Sequence, residues 1–283
     1  MNDDYCVFIL THGRPHRVVT YDALLKHGYT GKIYLIIDNE DKTADEYYKK
    51  FGDKVIMFDK KAIAKEIDEG NNFEDRRAII YARNASFKIA EDLGIKYFIQ
   101  LDDDYTRFAY RADDKNKYID KSIKNLDKIF INMFDYYKSI NAVTIAMSQS
   151  GDYIGGWQSS TAEKVEMKRK CMNTFFCSTD RKFKFIGRIN EDVNTYTFLG
   201  STGNLFLTIL NVSITQITTQ HNAGGMTELY LDSGTYIKSF YTVMYCPSFV
   251  KVGIMQSVNQ RLHHQISWEH AVPVILDEKY KKI

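Results

Sequence analysis

The stretch Tyr97-Phe98-Ile99-Gln100-Leu101-Asp102-Asp103-Asp104 decides the fold class of this chain. Its apolar, aromatic half is typical of a short buried strand, and three carboxylates follow at once. Carboxylates this close repel one another, so they either splay into water or enclose a cation. The carboxyl end of a buried α/β strand is where such folds bind ligands. Oxygen ligands suit Mg²⁺ or Mn²⁺ shared with phosphates, so we expect Asp102 and Asp104 to hold a metal and a diphosphate. The alternative is an acidic turn that caps a helix.

Length and composition indicate a folded protein with a substantial core. The chain has 283 residues, of which 44% are hydrophobic and 14% aromatic, and these values argue against disorder. The length fits one large α/β domain or two small ones. The net charge is only +2, which permits a local nucleic-acid patch but does not require one.

Cysteine usage and the chain start predict the compartment. The 4 cysteines show no CxxC or Cys/His zinc spacing, so we expect free thiols in a reducing compartment. The acidic start Met1-Asn2-Asp3-Asp4 does not resemble a leader, and no apolar run is long enough to span a bilayer. We therefore expect a soluble cytoplasmic protein that does not bind membranes. The sequence carries no signal for an oligomeric state.

The first hundred residues alternate between strands and helices. Strands are predicted at 7–10, 33–37, 54–58 and 97–101, and helices at 17–26, around Tyr47 and Tyr48, and at 76–93. This order predicts a mostly parallel sheet with helical crossovers. The loops that follow the strands then gather at one edge of the sheet, the ligand edge. They hold residues 11–14, Asp38 and the three aspartates.

Past residue 107 the alternation is less regular. A helix is predicted at 120–139 and strands at 142–147, 206–217 and 241–252. Residues 151–188 are polar, aromatic and basic. No stretch resembles an interdomain linker, so the sequence predicts one α/β domain over residues 1–283.

Three side chains of the first half lie where a ligand is expected. Asp38 ends an apolar strand and can accept a hydrogen bond from a base or a ribose hydroxyl; the alternative is an Asp-Asn turn. Arg14 lies at a strand-to-helix turn, where backbone N–H groups also favour a phosphate. The planar fork of Arg83 suits a diphosphate or a base, although helical arginines are more commonly surface residues.

The segment Ala82-Arg83-Asn84-Ala85 and the acidic strand end resemble the Ala-Arg-Asn … Asp-Asp-Asp signature of family-2 GT-A glycosyltransferases. The resemblance covers about the first 107 residues and implies a GT-A-like fold with a nucleotide-sugar site, for a UDP-sugar in the simplest case. It implies that Thr11 and Asp38 hold the uridine and that Arg83 contacts the base. The Asp-x-Asp pair, Asp102 and Asp104, would hold Mn²⁺ or Mg²⁺ and the diphosphate. Asp103 would be a further contact of the nucleotide sugar.

Residues 187–192, Gly-Arg-Ile-Asn-Glu-Asp, resemble the Glu-Asp motif of the same family. In inverting members this Asp deprotonates the acceptor hydroxyl, which implies Asp192 as the general base. Glu191 would orient the acceptor or pair with Arg188. The alternative is an acidic pair that stabilises a helix start capped by Asn190.

Late histidines often complete the metal site in such folds. Adjacent residues of a strand face opposite ways, so at most one of His263 and His264 can face the metal, and we expect His264. The alternative is a structural histidine near Trp268.

A narrower resemblance covers nearly the whole chain. Four segments resemble the TET/JBP-associated glycosyltransferases of bacteriophages: residues 11–14, 77–84, 220–226 and 262–273. This resemblance implies a nucleotide-sugar donor and, as acceptor, DNA that carries hydroxymethylated pyrimidines. It also implies a phage protein that acts in the cytoplasm of its bacterial host. Residues 1–107 would form the nucleotide-sugar-binding half and residues 108–283 the acceptor-binding half.

The basic and aromatic stretch 151–188 is the candidate DNA contact. Its cations would attract phosphates in a salt-sensitive way, and Trp157 or Phe175 would stack on a base that has left the duplex. His221, in a polar loop, would contact the acceptor base or a sugar hydroxyl. The alternatives are a solvated loop with incidental lysines and a plain surface histidine. The predicted acceptor and DNA contacts are His221, Trp157, Lys168, Arg169, Lys170 and Arg188.

Three functions stay open at this point. The first is a metal-dependent glycosyltransferase that acts on modified DNA. The second is a glycosyltransferase of the same fold with a glycan, protein or small-molecule acceptor. The third is a nucleotidyltransferase or a silent nucleotide-binding domain. The presence of Asp102, Asp104 and Asp192 argues against a silent domain, and residues 11–15 are a poor version of the Gly-rich, basic loop that a nucleotidyltransferase usually has after its first strand.

Overall fold

The computed structural model describes residues 5–70, 76–115, 117–153, 165–217, 236–255, 261–275 and 278. The strands are β1 (Tyr5–Leu10), β2 (Lys32–Asp38), β3 (Val55–Phe58), β4 (Tyr97–Asp102), β5 (Tyr105–Ala112), β6 (Tyr118–Ser122), β7 (Thr144–Gln149), β8 (Val165–Glu166), β9 (Phe175–Ser178), β10 (Phe206–Gln216), β11 (Val250–Met255) and β12 (Arg261–Ile266). The helices are α1 (Val19–Lys26), α2 (Ala44–Phe51), α3 (Lys60–Ala64), α4 (Ile80–Asp92), α5 (Leu126–Ser139), α6 (Glu191–Ser201), α7 (Tyr236–Tyr245) and α8 (Trp268–Ala271).

One 10-stranded sheet runs through the molecule in the order β3-β2-β1-β4-β9-β7-β10-β5-β6, and β8 pairs with β10. The pairs β3–β2, β2–β1, β1–β4 and β7–β10 are parallel. Strand β9 lies antiparallel between β4 and β7. Strands β5, β8 and β9 therefore oppose the direction that the other strands of the sheet share. The predicted α/β class, with a mostly parallel sheet flanked by helices, is confirmed.

Strand β1 shows why the sheet is buried on both faces. All of its residues are buried, as expected for a strand covered by helices on each side. Val7 and Ile9 pack into the cluster that contains Phe134 of α5. Phe8 and Leu10 alternate to the opposite face and pack into the cluster that contains Phe87 of α4. The apolar alternation of this short strand thus holds one helical layer on each face.

Two predicted elements are wrong. The predicted helix 120–139 begins only at Leu126, after Asn125 caps it by accepting a hydrogen bond from the Lys128 N–H at 3.0 Å. The residues before it form the edge strand β6. The predicted strand 241–252 is the end of helix α7 followed by strand β11. An apolar run of this length fits either period, so pattern alone does not separate helix from strand.

All four cysteines are buried and free. Burial raises the pKa of each thiol above its usual range. No helix in the described ranges has the length and apolarity required to cross a bilayer.

Candidate active site

The acidic run sits at the carboxyl ends of the parallel strands, and helix α1 fixes its backbone. Thr20 donates its hydroxyl to the Asp102 carbonyl at 2.6 Å and its N–H to the Asp103 carbonyl at 3.1 Å. The same hydroxyl accepts the Tyr105 N–H at 2.8 Å. One buried threonine therefore holds the turn in which the three carboxylates diverge.

Asp103 points inward, toward the loop after β1. Thr11 donates its hydroxyl to Asp103 Oδ2 at 2.6 Å and lies 2.7 Å from the Tyr47 hydroxyl. Arg14 Nε is 3.5 Å from the same carboxylate oxygen, and the Arg14 N–H donates to Tyr47 at 2.9 Å. Thr11, Arg14 and Asp103, all predicted to contact the nucleotide sugar, thus belong to one hydrogen-bonded group. Sequence reasoning missed Tyr47, whose only signal was its place in a predicted helix.

Asp104 lies beside the other two carboxylates. Burial, together with the charges of Asp102 and Asp103, raises the pKa of Asp104 to about 7. Within the described ranges, no Lys, Arg or His forms an ion pair with Asp104. A carboxylate without a paired cation beside two others suits a bound divalent ion, because Mg²⁺ and Mn²⁺ sites commonly use one or two carboxylates and complete their shell with phosphates and water. The residues present therefore fit the predicted metal at Asp102 and Asp104.

Arg83 joins the acidic run to the start of α6. Its Nη2 donates to Asp102 Oδ1 at 2.9 Å and its Nε donates to Glu191 Oε1 at 2.9 Å. The guanidinium also lies against two rings, 4.9 Å from the Phe175 centroid and 5.6 Å from that of Phe185. Arg83 is only 1% exposed, and its Nε and Nη2 already donate to carboxylates of the chain. Little of the guanidinium is therefore available to a ligand. Phe175, predicted to stack on a DNA base, is instead buried beneath this guanidinium in β9.

The start of α6 presents the second pair of carboxylates. Asn190 takes the left-handed conformation, with φ of 58°, which Asn tolerates better than most residues. Burial and the neighbouring Asp192 raise the pKa of Glu191 to about 7. Asp192 is 8% exposed and accepts the Val193 N–H on Oδ1 at 2.7 Å. Glu191 of the predicted Glu-Asp motif is thus joined to Asp102 through Arg83, and Asp192 is the next residue of the helix.

His264 does not join the acidic run as a third ligand. In the part of the chain that the structure describes, no three or more His, Cys, Asp or Glu side chains are arranged to hold a metal ion. His264 is on the β11–β12 hairpin, where its Nδ1 lies 3.4 Å from the Asn190 amide nitrogen. Burial, then the charges of His263, Lys238 and Lys170, lower the pKa of His264 to about 3. The predicted set of Asp102, Asp104 and His264 is therefore not assembled as one metal site in the described residues, and a metal at Asp102 and Asp104 stays a prediction.

Asp38 lies at the end of β2, inside a group of polar side chains that sequence reasoning missed. Its Oδ2 is 2.8 Å from His12 Nδ1 and 3.3 Å from Lys60 Nζ. Its Oδ1 accepts the Glu40 N–H at 3.1 Å. Burial acts to raise the pKa of Asp38, but the hydrogen bond from His12 and the charge of Lys60 outweigh it and hold the pKa below its usual range. His12 lies in the loop already singled out, whereas no pattern marks Lys60.

The predicted acceptor contacts are not all on the surface. Lys168 and Lys170 are exposed and Arg169 is partly buried, just after the short strand β8. Arg188 is 5% exposed, so it does not belong to an open cationic surface. Trp157 and His221 lie outside the described residues.

The sequence matches the model of the TET-associated glycosyltransferase family over residues 5–225. The chain belongs to this family. The family and the enzyme class, a glycosyltransferase, are therefore as the sequence motifs predicted. No curated protein matches the chain.

Two solved structures are among those similar to the chain. The S. aureus TarS 1-349 structure in complex with UDP-GlcNAc is 13% identical with a TM-score of 0.44, over 77% of this chain and 60% of that one. Glucosyl-3-phosphoglycerate synthase from Mycobacterium tuberculosis, in complex with Mn²⁺, UDP and phosphoglyceric acid, is 9% identical with a TM-score of 0.48, over 97% of this chain and 89% of that one. The chain spans 61% of the TarS 1-349 structure solved alone.

Proposed function

We propose that this chain moves a sugar from a UDP-sugar to the hydroxyl of a hydroxymethylated pyrimidine in DNA, with inversion at the anomeric carbon. The observation that carries the proposal is the contact of Arg83 with both Asp102 and Glu191, each at 2.9 Å. This contact joins the end of β4, which suits a diphosphate, to the start of α6, which suits an acceptor hydroxyl. A transfer between two bound substrates needs this proximity.

Residues 1–107 supply the donor side in this proposal. Asp38 receives the uracil, and the group around Thr11, Arg14 and Asp103 borders the diphosphate. Asp102 and Asp104 would hold Mn²⁺ or Mg²⁺, which when bound neutralises the charge that develops on the leaving diphosphate. Burial and then the charges of Asp102 and Asp103 raise the pKa of Asp104, so this carboxylate gains from a cation beside it.

Residues 108–283 supply the acceptor side. Asp192 takes the proton of the acceptor hydroxyl as that oxygen forms its bond to the anomeric carbon, and the bond from this carbon to the diphosphate oxygen breaks with its electron pair on the diphosphate. A single displacement of this kind inverts the anomeric configuration. Glu191, held by Arg83, keeps the start of α6 and hence Asp192 in place.

DNA as acceptor is supported by the family and by the exposed cations that follow β8. Lys168 and Lys170 point into solvent and can neutralise phosphates on the path to the site. A base inside a duplex has to leave the stack to reach a buried carboxylate such as Asp192. A phage protein with this activity would work in the cytoplasm of its bacterial host, where replicated DNA is available.

The acceptor is tested by supplying radiolabelled UDP-sugars in manganese buffer with four acceptors: DNA containing hydroxymethylcytosine, DNA containing hydroxymethyluracil, unmodified DNA and simple glycans. We expect label only in hydroxymethylated DNA. Label that enters only the glycans would refute the DNA acceptor and support the second function class. No transfer from any nucleotide sugar, with no donor binding by calorimetry, would refute the donor proposal as well.

A further inference from the structure

The carboxylate of Asp38 has two partners besides His12. The Glu40 N–H approaches Oδ1 at 3.1 Å and the buried Lys60 ammonium approaches Oδ2 at 3.3 Å. Lys60 itself is 4% exposed and lies over the Tyr81 ring, 5.5 Å from its centroid. These contacts keep Asp38 ionised inside the protein, so it accepts hydrogen bonds and donates none.

The third partner of Asp38 is the imidazole of His12. Its Nδ1 is 2.8 Å from Asp38 Oδ2 and 3.7 Å from Asp41 Oδ2. Because a carboxylate can only accept, this nitrogen carries the proton in the pair. The His12 side chain is 45% exposed, whereas those of Asp38 and Asp41 are 6% and 0% exposed. A half-exposed ring therefore lies beside two buried carboxylates.

We propose that His12 occupies the nucleobase position on Asp38 in the ligand-free chain, and that the uracil of the donor displaces it. The inference rests on the proposed function, since it concerns the same donor site. Both rings are flat heterocycles that offer an in-ring N–H to the carboxylate, Nδ1–H from His12 and N3–H from uracil. Cytosine carries no proton on N3 and cannot replace His12 in this contact.

The loop around His12 is built so that the side chain can leave while the backbone stays. The Gly13 N–H donates to Asp41 Oδ2 at 2.7 Å and the Arg14 N–H donates to the Tyr47 hydroxyl at 2.9 Å. Rotation about the side-chain torsions of His12 breaks neither bond. Lys60 remains as the counter-charge of Asp38 after His12 has left. Asp41 keeps its hydrogen bonds from the Gly13 N–H and from the N–H and hydroxyl of Thr43.

A competing side chain lowers the apparent affinity of a ligand by the fraction of time that it fills the site, and an occupancy of roughly nine in ten costs about tenfold. We therefore expect His12→Ala to bind uridine about tenfold more tightly than the natural chain in calorimetry without metal or DNA. His16→Ala is the matched control, because His16 lies in the same loop and pairs with Glu46 at 2.9 Å, away from Asp38. It should bind uridine as the natural chain does, and cytidine should bind none of the three proteins well.

A second readout follows the ring itself. In nitrogen-15 NMR of the natural chain, uridine should shift the His12 ring signals away from their carboxylate-bound position and leave those of His16 unchanged. If His12→Ala binds uridine no more tightly, or His12 signals stay fixed on saturation, the displacement proposal fails and the donor site stands. If neither protein binds uridine or UDP, both proposals fail.

Discussion

Arg83 Nε lies 2.9 Å from Glu191 Oε1, although 108 residues separate the two along the chain. The arginine comes from a helix beside the sheet and the glutamate from the first residue of α6. Their side chains are 2% and 11% exposed, so water screens the pair little. The donor and acceptor halves of the proposed site therefore share one buried cation.

Replacing Arg83 by Met should be strongly destabilising. The change leaves the Asp102 and Glu191 carboxylates without their counter-charge, and breaking a buried ion pair typically costs about 3–5 kcal/mol. Urea denaturation measures the loss. Arg107→Met is the matched control, because the Arg107–Asp120 pair is 34% and 44% exposed and such pairs contribute about 0–1 kcal/mol. If the two variants lose the same free energy of unfolding, the ion pairs of Arg83 stabilise the fold no more than an exposed pair does.

Asp192→Asn should abolish turnover and preserve donor binding. The amide has nearly the same shape and can still accept the Val193 N–H, but it cannot take a proton from the acceptor. A general base typically contributes about 10²–10⁴-fold, so kcat should fall by at least that lower bound while the Kd for UDP stays unchanged. Glu191→Gln, which keeps a hydrogen bond to Arg83, should retain more activity. A fully active Asp192→Asn variant would remove Asp192 from the mechanism.

The stability of the metal-free chain should fall as the pH rises from about 4 to 7. The pKa of Asp104 is raised from 3.8 to about 7 in the folded state, so in this window the folded state binds more protons than the unfolded state. The stabilising contribution is complete below the unfolded pKa and is lost as the pH rises through the folded value. The slope for one such group is at most about 1.4 kcal/mol per pH unit.

Two variants separate Asp104 from the rest of the molecule. Asp104→Asn cannot ionise, so its unfolding free energy should depend less on pH over this window than that of the natural chain. Asp114→Asn, at an exposed position after β5, should leave the slope unchanged. Identical slopes for all three proteins would assign the pH dependence to other groups.

The combined change of Lys168, Arg169 and Lys170 to Ala should weaken DNA binding and flatten its salt dependence. Each phosphate contact contributes about 0.9 to the slope of log K against log salt, so we expect the slope to fall by about 2–3 in fluorescence anisotropy titrations. The control with an equal charge change replaces Lys88, Lys96 and Lys182, which pair with acidic side chains elsewhere on the surface. If the control variant loses as much DNA affinity as the test variant, the loss comes from the change in net charge and not from this group of cations.

The strands of the first half could be predicted because a local sequence pattern marks each of them. An apolar run bounded by polar turn residues, as in β4, specifies a buried strand from local pattern alone. The loops at the carboxyl ends then follow from the parallel order. This order predicts Thr11, Asp38 and the three aspartates at one edge of the sheet, and the structure does bring them to it.

What the pattern could not predict depends on partners far away in sequence. Strand β9 enters the centre of the sheet by pairing with β4, and Phe175 opposes Gln100 there, so its burial has no local signature. Lys60 is buried only because Asp38 and Tyr81 surround it. The double contact of Arg83 likewise depends on where α6 begins relative to the sheet, which is a matter of tertiary packing.

The burial of all four native thiols has a practical consequence for the experiments above. Cys6, Cys171, Cys177 and Cys246 are inaccessible in the folded chain, and burial raises the pKa of each thiol, so few thiolates exist at neutral pH to attack a maleimide. A single cysteine introduced at an exposed position, such as Lys168, can then carry a fluorophore without prior removal of the natural ones. The same folded protein can report in real time on the arrival of DNA.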